Sequence, residues 1–434
     1  MSAYNGLSGV GLKKRLLNHT LFQTLFHLRG NSRGVVLTEP LWGIPYNLYA
    51  PYVSVYMLAL GLKDSQIGLV ASINLGLQVF WSLLGGAITD KLGRKRTTFI
   101  FDFITWTIPC LIWAVAQDFT YFVIAAVINS GWRVTHTSWT CTLVEDTDPE
   151  LLVDIYTWIY IAGLLSAFFA PLAGILISGF SLVPTVRILY IFAAVMMTAK
   201  FLIMNMMVEE TTRGKIRLAE TQGKDLFSLL GEYRGVLGQI LRTPATLYTI
   251  GIMLVMAIFN NINVSFWGVL VTQKLSIPES RLAIYPFAKS ITQLIFFFSA
   301  TPLIRGMNFR NPILIGLCGF IASQLILVTA PVGSYGLLLV SVIVEACSAA
   351  AVNIQVDRMF VINVDEAERA RIMAIIMVIV VAITSPFGFI AGKLSEVNRI
   401  LPFVLNIFLF VIGLVLVWMA ARSARRVLKP VAAD

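Results

Sequence analysis

Apolar runs about as long as a bilayer is thick recur along this chain, separated by short polar breaks. Nothing else restricts its fold as tightly. Hydrocarbon cannot satisfy a bare backbone N–H or C=O, so a run of this kind crosses a membrane as a helix, and about 20 residues suffice. The runs fall at 34–60, 65–89, 97–116, 119–143, 153–178 and 183–207, then at 244–272, 281–303, 311–330, 334–358, 371–392 and 399–420. The expected fold is an all-α polytopic membrane protein with twelve transmembrane helices. Its expected divisions are an N-terminal tail at 1–33, a six-helix bundle at 34–207, a central loop at 208–243, a second six-helix bundle at 244–420 and a C-terminal tail at 421–434. Composition agrees: 57% of residues are hydrophobic and 13% charged, where a soluble domain carries about 25% charged residues.

Charge placement gives the orientation. Of 33 Lys and Arg, 24 fall in the tails and in the loops on their side, and 5 (Lys63, Lys274, Arg281, Lys393 and Arg399) in the loops opposite. Basic residues collect on the cytoplasmic side of a membrane, so both termini are expected inside a cell membrane. The net charge of +10 then meets anionic lipid, and nucleic acid is not an expected partner. Cys110, Cys141, Cys318 and Cys347 lie within apolar runs without C-x-x-C spacing, which reads as free thiols rather than a disulfide or metal framework. No cleavable signal peptide is read at the start. Residues 16–28 suit either an amphipathic surface helix or a disordered tail.

Between the second and third runs stands GAITDKLGRKR, residues 86–96, a basic turn flanked by apolar sequence. Gly93 permits a tight turn, and Arg94 has the acidic run Glu145-Asp146-Thr147-Asp148 in reach. The order G-x-x-x-D-[RK]-x-G-[RK]-[RK] closely resembles the loop between helices 2 and 3 of the major facilitator superfamily. That resemblance implies two pseudo-symmetric six-helix bundles around a midplane site. It also implies a gating latch of Asp90, Gly93 and Arg94, with Glu145 as partner; the alternative is that the basic residues only fix topology. Faint repeats offset by about 210–217 residues agree with the plan: MLALGLKDSQIGL after the first run matches VLVTQKLSIPESRL after the seventh. VEDTDPEL matches NVDEAERA, and RGMNFRN at 305–311 is a degenerate second copy of the basic turn.

Polar residues inside the runs are the candidates for chemistry, because each needs a partner or a wet cavity. Arg133 lies mid-run in NSGWRVTHTSW, and the resemblance places its helix on the cavity; the family's R-x-x-Q-G reads R-V-T-H-T here. Binding and a structural ion pair are both open for it. Glu345 and Lys289 are expected to face the cavity and pair, with Glu345 as the ion-coupling carboxylate and Asp102 as another candidate. Glu39 reads as interfacial, Asp357 as a wet group beside Arg358, and Lys200 and Arg187 as structural. His136 is one turn from Arg133 on the same face. Trp42, Tyr46, Tyr49, Val53 and Tyr56 form one helical stripe, in a helix bent by Pro40, Pro45 and Pro51, that suits a ring or sugar-like ligand, aromatic packing with an interface belt being the alternative. Asn260, Asn261 and Asn263, followed by Trp267, read as ligand contacts, interhelical hydrogen bonding being the alternative.

The expected function is secondary active transport of a small solute by alternating access, proton-coupled, with a sugar-like polar substrate. A multidrug or organic-anion exporter of the same fold is the alternative. The fifth run keeps Pro171 but few glycines of the stretch common in drug/proton antiporters, which argues against that exchange. A non-transporting receptor is the rival from another class. No G-x-x-x-x-G-K-[ST] loop, H-E-x-x-H pair or Ser/His/Asp set is read, so no enzyme activity, cofactor or metal is expected. The expected partners are a small-molecule substrate, a coupling ion and membrane lipid, around a monomer.

Overall fold

The computed structural model describes residues 28–223, 244–299, 310–363 and 369–427. Residues 16–27, expected as a surface helix or a disordered tail, residues 224–243 of the central loop, where a short surface helix is expected around 226–240, residues 300–309 and the side chains of Asp357 and Arg358 lie outside those residues. Helix α1 spans 30–59 as Gly30–Tyr49, a 3-10 turn Ala50–Tyr52 and Val53–Ala59. It is followed by α2 (Asp64–Leu92), α3 (Arg94–Ala114), α4 (119–144), α5 (Pro149–Phe180) and α6 (Leu182–Met207). A short linker helix, Thr212–Glu220, precedes the second half. There α7 is Pro244–Gln273, α8 Glu279–Ser299, α9 Arg310–Thr329, α10 Tyr335–Asn363, α11 Arg369–Val397 and α12 Leu401–Val427. Ten helices among the described residues are long and apolar enough to span a membrane; α1 and α4, which carry more polar residues and breaks, complete the twelve.

The breaks have local causes. Pro51 sits in the 3-10 turn of α1, and in α5 a 3-10 turn at Ala167–Phe169 precedes Pro171. Proline has no N–H to continue the helical ladder. In α3 a π turn at Phe103–Thr107 precedes Pro109. Pro109 cannot donate to the carbonyl of Thr105, and the Asn129 side-chain amide of α4 does so at 2.8 Å. Pro40 and Pro45 lie inside Gly30–Tyr49 without ending it.

The N-terminal half packs on buried aromatics, Tyr52, Tyr56, Phe122 and Tyr190, and the C-terminal half on Phe259, Phe320 and Phe410. Outer faces stay apolar and exposed, as at Ile175, Phe180, Val195 and Met206, the surface that lipid solvates. Hydrogen bonds between the halves cluster where α2 meets α11, at the end remote from the basic turn. Ser385 donates to the Ser72 carbonyl at 2.9 Å, Phe389 N–H to Ser72 Oγ at 2.8 Å, and Ser395 to Asp64 at 2.6 Å. Ser65 donates to Glu396. Glycines allow this approach: a Cβ on Gly68 would lie 2.1 Å from the Gly388 carbonyl oxygen, and one on Gly392 2.6 Å from that of Asp64. On the same end Gly174 of α5 faces the Ser280 carbonyl, and Gly268 of α7 faces Pro51.

Candidate functional site

Three polar assemblies lie within this frame. The first is a cavity of about 250 Å³ between the halves. From α1 come Tyr46 and Asn47, from α7 Asn260, Asn263 and Trp267, and from α8 and α10 Tyr285, Lys289 and Glu345. Lys289 donates to Glu345 Oε1 at 2.7 Å, and Asn263 Nδ2 donates to the same oxygen at 3.0 Å. The Glu345 side chain is 5% exposed and that of Lys289 34%. One end of the pair is therefore held in protein while the ammonium keeps donors for a ligand. Trp267 packs edge-on against Tyr285, both on the cavity lining with Tyr46; Trp42, expected to touch substrate, is not part of that lining and stacks on Tyr46 at 4.7 Å.

Several expected residues fall elsewhere. Tyr49 is buried against Trp113 and Tyr190 in the N-terminal core. Asn261 does not line the cavity, and its side-chain N–H group is buried with no hydrogen-bond partner among the described residues. Arg133 joins a second assembly, in which Asn74 donates to Asn129 and Ala126, Gln78 donates to Asn74 at 2.5 Å, and Arg133 Nε donates to Gln78 at 2.9 Å. The guanidinium lies 4.6 Å above Trp132, with no carboxylate within 4 Å among the described residues. Asn47 and Tyr285 were not singled out from sequence. Both were legible as neighbours of residues that were: Asn47 adjoins Tyr46, and Tyr285 is one turn before Lys289.

The third assembly is built on the basic turn. Gly93 has φ +84°, where a side chain is strained. Arg94, 4% exposed at its side chain, donates to Glu145 at 3.0 Å and to Asp90 at 2.9 Å. The first part of the central loop closes over it. Glu210 accepts from the backbone N–H groups of Arg94 and Lys95 at 2.8 and 3.1 Å, capping α3 with a carboxylate. Arg217 reaches Asp90 at 2.8 Å and Glu220 at 2.9 Å; hydrogen bonds to these carboxylates raise its pKa and hold it charged. Thr211 Oγ1 donates to Glu145. Glu210 and Arg217, within the linker's run of mixed charge, gave no sequence signal for this, since apolar periodicity is blind to such contacts.

Asp102 lies apart from the cavity, buried in the N-terminal half, where it interacts electrostatically with Lys200 and Glu39. Lys200 and Glu39 pair at 3.2 Å. Arg187 donates to the Ala116 carbonyl at 2.9 Å.

Twelve helices in two halves around a polar cavity define a membrane transporter for a small molecule. The sequence profile described as Major Facilitator Superfamily matches residues 42–380, and the chain belongs to that family. Solved structures share the fold at low identity. A nucleoside transporter, NupG, is 18% identical over 90% of this chain and 98% of its own, with a TM-score of 0.68. A POT family transporter in complex with 5-aminolevulinic acid is 13% identical over 92% and 96%, also at 0.68. The human organic anion transporter MFSD10 (TETRAN) is 15% identical over 89% and 99%, at 0.60. No curated protein sequence matches the chain.

Proposed function

We propose that the chain is a proton-coupled secondary transporter that carries a sugar-like polar solute by alternating access at the cell membrane, with both termini cytoplasmic. The observation that carries this reading is the Lys289–Glu345–Asn263 cluster on a wall that also presents Trp267 and Tyr285, opposite Tyr46. Aromatic faces stack on a ring while amides and an ammonium donate to hydroxyls. A solute that takes the Lys289 ammonium leaves Glu345 less well paired, and a less well paired buried carboxylate takes up a proton. Solute and proton then bind together. The seal between α2 and α11 corresponds to a state closed on the outer side, and the Asp90–Arg94–Glu145 latch serves the gate at the inner side.

The test is a pH-sensitive dye trapped in proteoliposomes, with sugars, nucleosides, organic anions and hydrophobic cations added singly. One class should move protons, and Glu345→Gln should abolish the proton movement while solute exchange continues. Proton movement intact in Glu345→Gln would remove Glu345 from the coupling. A second reading, organic-anion export, is favoured by Arg133, a preorganised guanidinium with no carboxylate in reach among the described residues. It predicts that only the acidic members of the panel are carried.

A further inference from the structure

Glu39, Lys200 and Asp102 carry charge in the interior of the N-terminal bundle, and the Lys95 side chain borders it from the basic turn. Glu39 of α1, 16% exposed at its side chain, pairs with Lys200 of α6, 6% exposed, at 3.2 Å. Asp102 of α3 is 4% exposed and makes no ion pair within 4 Å among the described residues, though it feels both of those charges. Lys200 is held by Glu39, and no Lys or Arg, Lys95 across the cavity included, pairs with Asp102 within 4 Å among the described residues; a buried carboxylate without such a partner is neutralised by taking up a proton. Since Lys200 is committed to Glu39, the proton falls to Asp102.

The surroundings give that proton a route. Asp102 opens onto a cavity of about 10 Å³, lined also by Lys95, Thr98, Thr142 and Asn205, room for about one water. Lys95 belongs to the basic turn, seven residues and so about 10 Å of helix rise back along α3. Between them Thr98 donates to the Arg94 carbonyl at 2.8 Å and meets Ser138 Oγ at 2.7 Å. The charged groups around Asp102 are thus Glu39, Lys200 and, across the cavity, Lys95, while α4 presents Thr135, Ser138 and Thr142. Just past Asp102 the helix widens into the π turn at Phe103–Thr107, a form that recurs at functional sites.

We propose that Asp102 is a protonation site of the N-terminal bundle, separate from the central cavity and reached from the end that carries the basic turn, with the Lys200–Glu39 pair setting its charge balance. Water at that end gives up a proton to the carboxylate and receives it back; no other bond changes. The site shares α3 with Arg94, so its charge state is placed to act on the latch. The proposal does not depend on which solute is carried, or on whether Glu345 also binds a proton.

Infrared difference spectroscopy of the whole protein in lipid tests it, by following the C=O stretch of a protonated carboxyl as pH is raised from neutral. The wild type should show a titrating band that is lost in Asp102→Asn and kept in Glu345→Gln. Glu39→Gln frees Lys200 for Asp102 and should weaken the proton affinity behind the band at least about tenfold, a pKa unit or more. Lys200→Gln should strengthen it. These two variants read the site even if Asp102→Asn does not fold. A band that survives Asp102→Asn, or one indifferent to both Glu39→Gln and Lys200→Gln, overturns the proposal, as does a flux-competent wild type without a band. A wild type with the band but without solute flux would instead overturn the transport reading.

Discussion

Gly93 and Arg94 show how much one residue can decide at the basic turn. With φ at +84° and ψ at 159°, Gly93 occupies a region nearly closed to other residues, and a Cβ there would lie 2.5 Å from Glu210. Gly93→Ala should destabilise the protein by about 1–3 kcal/mol, read as a lower unfolding midpoint in detergent. Arg94→Met removes the cation between Asp90 and Glu145, whose side chains are 21% and 11% exposed. Stranding such carboxylates costs about 3–5 kcal/mol when burial is complete, and Arg217 still serves Asp90, so the lower end is expected. A loss well under 1 kcal/mol in denaturant titration would show that the latch is a surface contact. Arg94 and its acidic partner were legible in sequence because the motif and the acidic run stand at the ends of adjoining spans. Glu210 and Arg217 were not, because nothing in a mixed-charge linker tells which residues fold back. The same limit applies within the spans. Tyr49 shares a helical stripe with Trp42 and Tyr46, yet a stripe is wide enough to face both a cavity and a core.

At the scale of elements, α2 and α11 make the seal between halves, and small residues make it possible. Gly68 faces Gly388 and Gly392, while Ser72 and Ser395 supply hydrogen bonds. Close backbone contact through small residues is how helices associate in lipid, where apolar burial gives no preference for protein over lipid tails. Gly68→Val should wedge the helices apart. Ser395, 3% exposed, would then become accessible, and Ser395→Cys in the Gly68→Val background should react faster with a membrane-impermeant maleimide than in the parent. Equal rates would mean that the seal rests on other helices. Most spans were legible from apolar runs alone, within a few residues at many ends. The 3-10 and π turns were not, although each accompanies a proline visible in the sequence. Where a proline lands can be read, but not whether a neighbour such as Asn129 will satisfy the carbonyl it frees.

For the whole molecule, the number of spans, the six-plus-six division and the basic turn were legible because the bilayer leaves so few solutions for apolar sequence. The cavity was legible only in part, since it is assembled from α1, α7, α8 and α10 and no periodicity within one helix reports on another. Its members with intramembrane charge, Glu345 and Lys289, stood out because charge in a span needs a partner. The account as a whole rests on the two halves moving against each other around that cavity. The most direct measurement is flux through a protein whose halves are locked: Ser72→Cys and Ser385→Cys, in a background where Cys110, Cys141, Cys318 and Cys347 are replaced by serine or alanine. With whichever panel solute the parent carries, oxidation to a cross-link should stop flux in proteoliposomes, and reduction should restore it. Undiminished flux through the cross-linked protein would contradict the account.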